Sequence, residues 1–208
     1  MNTELTNSLR ILTRAHFDYQ MERLRIDGML GIKKNGEIKK KTPPRDEAFL
    51  SELYKRRDEV FAIEELLLKE LSKEVHKHPL WKTFLDGVKG VGPAIAAVII
   101  TEIDIQKAVT VSNLWSFAGM APGKDKRVRG QKCTYNQYLK RTLLGILGPS
   151  FLKSYSPYAD FYRNMRVRLE SMDYGIASKN PSDKDHPKAF HQHNYANRYM
   201  VKMFLKDL

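Results

Sequence analysis

Apolar side chains recur at helical spacing along most of this chain. In residues 3–27, Leu5, Leu9, Leu12, His16 and Tyr19 fall three and four apart with no proline between them, which predicts an amphipathic helix. Gly28 and Gly31 are expected to end it. Two prolines, Pro43 and Pro44, then precede a longer pattern from Asp46 to Lys77. There Phe49, Leu53, Val60, Ile63, Leu67 and Leu71 approach a heptad, with Glu and Lys between them. Asp46 and Glu47 open this helix and Lys77 and His78 close it, as the helix dipole favours; Pro79 stops it. The triple Leu66-Leu67-Leu68 makes the stripe broader than a two-stranded seam. The helix is therefore expected to pack on the first one, within one chain, and it also offers a face for a homodimer. Between the two helices, Ile32-Lys-Lys-Asn-Gly-Glu-Ile38 carries an Asn-Gly turn signal. It predicts a small β-hairpin presenting Lys33, Lys34, Lys39, Lys40 and Lys41, with a flexible basic loop as the alternative. Residues 171–188 are poor in large apolar groups and read as a loop. A last helix is expected from Pro187 to Leu208, with His193, Asn197, Met200 and Phe204 on one stripe.

The expected fold class is all-α. A helical hairpin or coiled-coil region at 1–78 is followed by a helix-hairpin-helix domain at 79–170, then a loop and helix at 171–208. The longest apolar run, Ala94 to Ile100, is far short of the roughly 18 residues of a membrane span. The first ten residues lack the basic patch and apolar core of a signal peptide, so a cytoplasmic protein is expected. A single cysteine, Cys133, excludes an intramolecular disulfide and a cysteine-based zinc site.

Charge changes the picture. The chain holds 36 Lys+Arg and 24 Asp+Glu, a net +12. Residues 120–170 alone carry 11 basic against 3 acidic side chains, so +8 of the excess lies in that quarter of the chain. A solvated helix face mixes both signs, whereas this segment does not. A polyanion is the partner class that this asymmetry favours: double-stranded DNA first, structured RNA second.

The sharpest local signal is Leu85-Asp-Gly-Val-Lys-Gly-Val-Gly-Pro-Ala-Ile-Ala-Ala-Val-Ile-Ile100. Val88 and Val91 are apolar pins around Lys89-Gly90, and Gly90 and Gly92 permit a tight turn with positive φ. Pro93 suits the first position of the next helix, and small Ala94, Ala96 and Ala97 allow close packing. The unpaired amides at that helix start form an anion site where a DNA phosphate is held without any base contact. This arrangement resembles the helix-hairpin-helix family of DNA-binding elements. A degenerate second copy is expected at Leu114 to Pro122, turning at Gly119. Candidate DNA-binding residues are Lys89, Gly90 and Gly92 in the hairpin and Lys124, Lys126, Arg127, Arg129, Lys132, Lys140 and Arg141 in the basic segment.

A wider resemblance runs over residues 80–165. Gly90-Val-Gly-Pro93, Ile99-Ile-Thr-Glu-Ile103, Leu114-Trp-Ser-Phe-Ala-Gly-Met-Ala-Pro-Gly123, the basic run to Lys132 and Tyr135-Asn136-Gln-Tyr-Leu-Lys-Arg141 occur in this order. Together they resemble the C-terminal domain of insertion-sequence transposases of the 110/116/902 group. The resemblance implies a mobile-element DNA recombinase guided by RNA, with an RNase-H-like domain of four acidic residues, a coiled coil and a nucleophilic serine. Residues 1–78 are too short and too helical for that RNase-H-like sheet. The segment after Ala121-Pro-Gly123, where the family's serine falls, contains none. Thr134 is the nearest hydroxyl, with no His or carboxylate spaced to activate it. The chain thus reads as the family's DNA-handling module without its chemistry, and whether it is an enzyme stays open. The alternatives are a catalytic subunit completed in trans and a dimeric adaptor for RNA or protein.

Other chemistry is weakly signalled, and no cofactor, catalytic residue or metal ligand is assigned. Glu102 and Asp104 are two apart and point in different directions on a helix. His186, His191 and His193 lack the spacing of three or four that helix ligands use. Trp81 and Trp115 are expected in the core, whereas Tyr135 and Tyr138 sit among basic residues where bases can stack.

Overall fold

A computed structural model describes residues 3–32, 46–123, 129–175 and 186–208. It is all-α: no strand occurs among the described residues. The expected β-hairpin lies outside them apart from Ile32. No described helix is long and apolar enough to cross a membrane. The chain divides into two compact units, Met1–His78 and Pro79–Leu208.

The first unit is an antiparallel pair, α1 (Thr3–Leu30) and α2 (Glu47–Lys77). Gly28 lies inside α1 rather than ending it. The end comes at Gly31, with φ 72°, where Ile32 N–H reaches Asp27 O at 2.8 Å and Gly31 N–H reaches Gly28 O at 3.3 Å, a Schellman turn. Asp46 caps α2 by accepting from Ala48 N–H at 3.3 Å.

The core face of α2 follows the apolar stripe at Val60 and Leu71, with Leu53 and Leu67 half-buried, and departs from it at two positions. Phe49 and Ile63 are exposed, and the buried positions are Val60, Glu64, Leu71 and Val75. An acid takes a core position because α1 supplies its partners. Arg23 Nε donates to Glu64 Oε2 at 2.6 Å, and Gln20 Nε2 donates to Glu64 Oε1 at 3.1 Å. Arg23 also pairs with Asp27 at 3.0 Å, and Asp27 with Arg57 at 2.8 Å, so the ions alternate across the two helices. His16 is buried in the same seam with its Nδ1 unpartnered, and burial lowers its pKa, holding the ring neutral.

In the second unit, α3 (Pro79–Thr83) and a single 3-10 turn, Leu85–Gly87, lead to α4 (Pro93–Glu102). Residues Ile95 through Thr101 of α4 are all buried, as befits a helix apolar on every side. A second short turn, Ile105–Lys107, leads to α5 (Val111–Phe117). Then α6 (Gln137–Thr142), a π turn (Leu143–Leu147) and α7 (Gly148–Lys153) form one continuous rod. Its core stripe is Leu139, Leu143, Leu147 and Phe151, all fully buried at a strict spacing of four. On an α-helix that spacing drifts by about 40° per step, and the wider π turn brings the stripe back onto one face. Pro149 gives the π turn a local cause, since its ring would collide with the carbonyl of Gly145 in a regular helix.

Helices α8 (Tyr158–Ser171) and α9 (His186–Asp207) close this unit. Asn197 of α9 donates to the Leu144 carbonyl at 3.0 Å, satisfying an acceptor of the π turn. Its amide lies where a Gly148 Cβ would stand, only 2.1 Å from Asn197 Oδ1, so the two helices meet through a glycine. Phe204 packs on Phe84, Phe151 and Tyr158 with ring centroids 6.0, 5.4 and 5.5 Å away. Trp81 is buried, and Trp115 Nε1 donates to Lys202 O at 3.2 Å while Lys202 Nζ sits 3.9 Å over its ring.

The buried acid makes a specific demand. Glu64→Ala should destabilise the helical pair by about 2 kcal/mol, because half-buried Arg23 loses its closest partner and keeps only Asp27, while Arg23→Met with Glu64→Leu should recover most of the loss. Urea unfolding followed by circular dichroism measures both; equal losses in the two variants would refute the account.

Candidate nucleic-acid interface

The hairpin between Gly87 and Pro93 is held from below. Val88 N–H bonds back to Leu85 O at 3.2 Å and Val91 N–H to Val88 O at 3.0 Å, closing two successive tight turns. Leu85 and Val91 are buried and Val88 is half-buried. Gly90 has φ 96°, and a Cβ there would stand 2.7 Å from Ser154 Oγ, 3.0 Å from Phe151 and 3.2 Å from the Ser150 carbonyl. Ser150 Oγ donates to Gly90 O at 2.7 Å. The tip is therefore clamped on α7, a contact that the local motif could not reveal.

Gly92 corrects the sequence reading. Its φ is −93° and its ψ 170°, an extended helix cap rather than a left-handed turn. No atom lies within 4 Å of where its Cβ would be, so the ground in front of the helix start is open. Pro93 has no N–H, and the first intrahelical bond is Ala96 N–H to Gly92 O at 2.9 Å. The amides of Ala94 and Ile95 are the ones the first turn leaves without an intrahelical acceptor.

Lys89 is exposed at the tip. It borders a cleft of about 280 Å³ with Tyr158, Phe161 and Asp207. The Tyr158 hydroxyl donates to Asp207 at 2.9 Å. Burial, aided by that carboxylate, pushes the phenol pKa up and keeps it a donor.

The basic segment is divided. Lys124, Lys126 and Arg127 lie outside the described residues. Arg129, Lys132 and Arg141 are exposed, and Lys140 is half-buried with Nζ 4.5 Å over the Tyr135 ring. Tyr135 packs on Gly119, whose φ is 67° and whose added Cβ would meet the ring at 2.7 Å. The expected second hairpin is thus a turn after α5 filled by an aromatic ring.

Asn136, quoted in the motif but given no role there, is a joint. Its N–H bonds Phe117 O at 2.8 Å, its Nδ2 bonds Glu102 at 2.6 Å, and its Oδ1 caps α6 through Leu139 N–H at 3.0 Å. Glu102 is accordingly a structural acceptor. Asp104 caps the Ile105–Lys107 turn through Gln106 N–H at 3.2 Å and pairs with Lys107 at 3.2 Å. His193 bonds the Tyr162 hydroxyl at 2.8 Å, and His191 is exposed. Thr134 is exposed. Among the described residues, no cluster of three His, Cys, Asp or Glu side chains is placed to hold a metal ion.

Residues 82–159 match the model of the transposase IS116/IS110/IS902 family. Over this stretch the chain is similar to that transposase family. No curated protein and no solved structure matches the chain. The matched stretch takes in the hairpin, α4, the Asn136 joint, the rod 137–153 and the first two residues of α8. Helix α9 lies beyond it, yet Asn197 and Phe204 complete its core.

The two hairpin glycines should respond differently. Gly90→Ala should cost about 3 kcal/mol through backbone strain and collision with α7. Gly92→Ala should cost less than about 1 kcal/mol, since only the capping preference changes. Thermal melts compare them, and similar losses would mean that the clamp on α7 is not the constraint.

Proposed function

We propose that this chain is a sequence-tolerant DNA-binding protein of transposase descent. It holds the phosphates of duplex DNA at two places. Lys89 and the amides after Gly92 take one, and the basic residues Lys124, Lys126, Arg127, Arg129, Lys132, Lys140 and Arg141 take the other.

The observation that carries this reading is the open ground over Gly92 at the start of a buried helix. A first turn with donors facing free space and an exposed lysine beside it suits a phosphate oxygen. The second place is at the opposite end of the same helix. Glu102 ends α4 and bonds Asn136, which opens the helix bearing Lys140 and Arg141. Ten residues of α4 set the two ends about 15 Å apart, or about four base pairs at 3.4 Å each. Contacts of this kind fix the duplex without reading bases. The family match supports DNA rather than another polyanion as the partner.

A substitution separates binding from folding. Gly92→Asp places a favoured capping residue in an extended position with room for it, so stability should hold or rise. The same carboxylate would stand where the phosphate binds, and affinity for duplex should fall by about tenfold or more, with Gly92→Asn falling less. Fluorescence anisotropy in a salt series checks this. The wild-type log–log slope should be about −0.9 per phosphate contact, and Lys89→Ala should reduce it by about 1. Unchanged binding by Gly92→Asp would overturn the reading of the hairpin.

A further inference from the structure

Among the described residues, four helices end in a left-handed residue closed by a six-to-one bond. Ile32 N–H to Asp27 O and Met120 N–H to Trp115 O are each 2.8 Å, Tyr174 N–H to Leu169 O is 2.9 Å, and Ser156 N–H to Phe151 O is 3.1 Å. The left-handed residues are Gly31, Gly119, Asp173 and Tyr155. Glycine carries no Cβ, and aspartate tolerates this region through local hydrogen bonding. Tyrosine does neither. At φ 52° its Cβ crowds the backbone, and a ring that was buried in return would explain the choice. The Tyr155 ring is instead 78% exposed. The fold alone would be served better by glycine there.

The position is next to the hairpin. Ser154, immediately before it, is the side chain that crowds Gly90, with its Oγ 2.7 Å from where a Cβ would be. Lys153, two residues before Tyr155, is exposed, and so is Lys89, the neighbour of Gly90 in the chain. Phe151 and Ser156, which close the turn through their backbones, are fully buried. The tyrosine is thus anchored by core residues on both sides and presented to solvent on the turn that meets Gly90.

We propose that Tyr155 is a DNA-contact residue whose ring stacks on an unpaired base at the edge of the duplex held by the hairpin. This rests on the DNA-binding reading above and extends it. The ligand class is duplex DNA with a single-stranded extension, because bases within a duplex are already stacked and offer no free face. Ring stacking accepts any base, which keeps the site sequence-tolerant.

The test uses the full chain and two labelled probes: a blunt duplex and the same duplex with a short single-stranded extension. Wild type should bind the extended probe more tightly, by about tenfold, a range typical of one stacked base. Tyr155→Gly should lose that preference while binding the blunt duplex as before, and its Tm should rise by about 2 °C as the left-handed residue is relieved. Tyr155→Phe should keep the preference. A Tyr155→Gly protein that still prefers the extended probe, or wild type with no preference, overturns the inference and leaves the hairpin reading standing. Failure of wild type to bind either probe overturns both. A fall in Tm in Tyr155→Gly would show that the tyrosine serves the fold.

Discussion

The second unit depends on one rod being fixed to one buried helix at both ends. The rod 137–153 runs beside α4 in the opposite direction. At one end Asn136 holds Glu102 at 2.6 Å, and at the other Ser150 holds the Gly90 carbonyl at 2.7 Å. Each attachment has a glycine where another residue would collide, Gly119 under Tyr135 and Gly90 under Ser154. A third glycine, Gly148, admits Asn197 from α9. Close backbone approach, rather than bulk of side chain, is what sets the positions of these helices. Interiors packed to crystal-like density leave such contacts no room to adjust.

That geometry explains how a wholly buried helix can serve a surface task. Residues 95–101 of α4 are closed off from solvent, so only its two ends are available. The rod fixes those ends relative to each other. Lys89 and the capping Gly92 stand at one, and the start of the helix with Lys140 and Arg141 stands at the other. Rigid spacing of weak contacts spares the ordering entropy that flexible basic loops lose on binding. Tyr155 extends the first of these places, because the same serine-bearing turn that clamps the hairpin also presents the ring.

Much of this was legible in advance where a pattern is local. Helices α2, α4 and α9 follow from apolar spacing bounded by Pro79, Pro93 and the caps. Val91 is buried and Gly90 takes the positive φ expected of the tight turn, while Val88 is only half-buried, since turn chemistry acts over a few residues. The buried face of α2 departs from the apolar count at Ile63, because that count cannot admit Glu64, whose core place depends on Arg23, 41 residues away. The same reason hides Ser150, 60 residues from Gly90, and Asn197, 53 residues from Leu144. The rod 137–153 carries Gly145, Gly148 and Pro149, residues that disfavour a regular helix, so its continuity shows only with the π turn. Gly92 was misjudged since a glycine can be required by open space as well as by positive φ. Its role is in what it leaves uncovered.

The central claim is that the start of α4 is a phosphate site built on a fixed core. Titration of the ¹⁵N-labelled chain with short duplex DNA, followed through backbone amide resonances, tests it most directly. The account predicts that the amides of Lys89, Gly92, Ala94 and Ile95 shift most, together with those around Lys140, while the buried residues 97–100 stay in place. Shifts confined to residues 1–78, with the hairpin amides unmoved at saturating DNA, would contradict it.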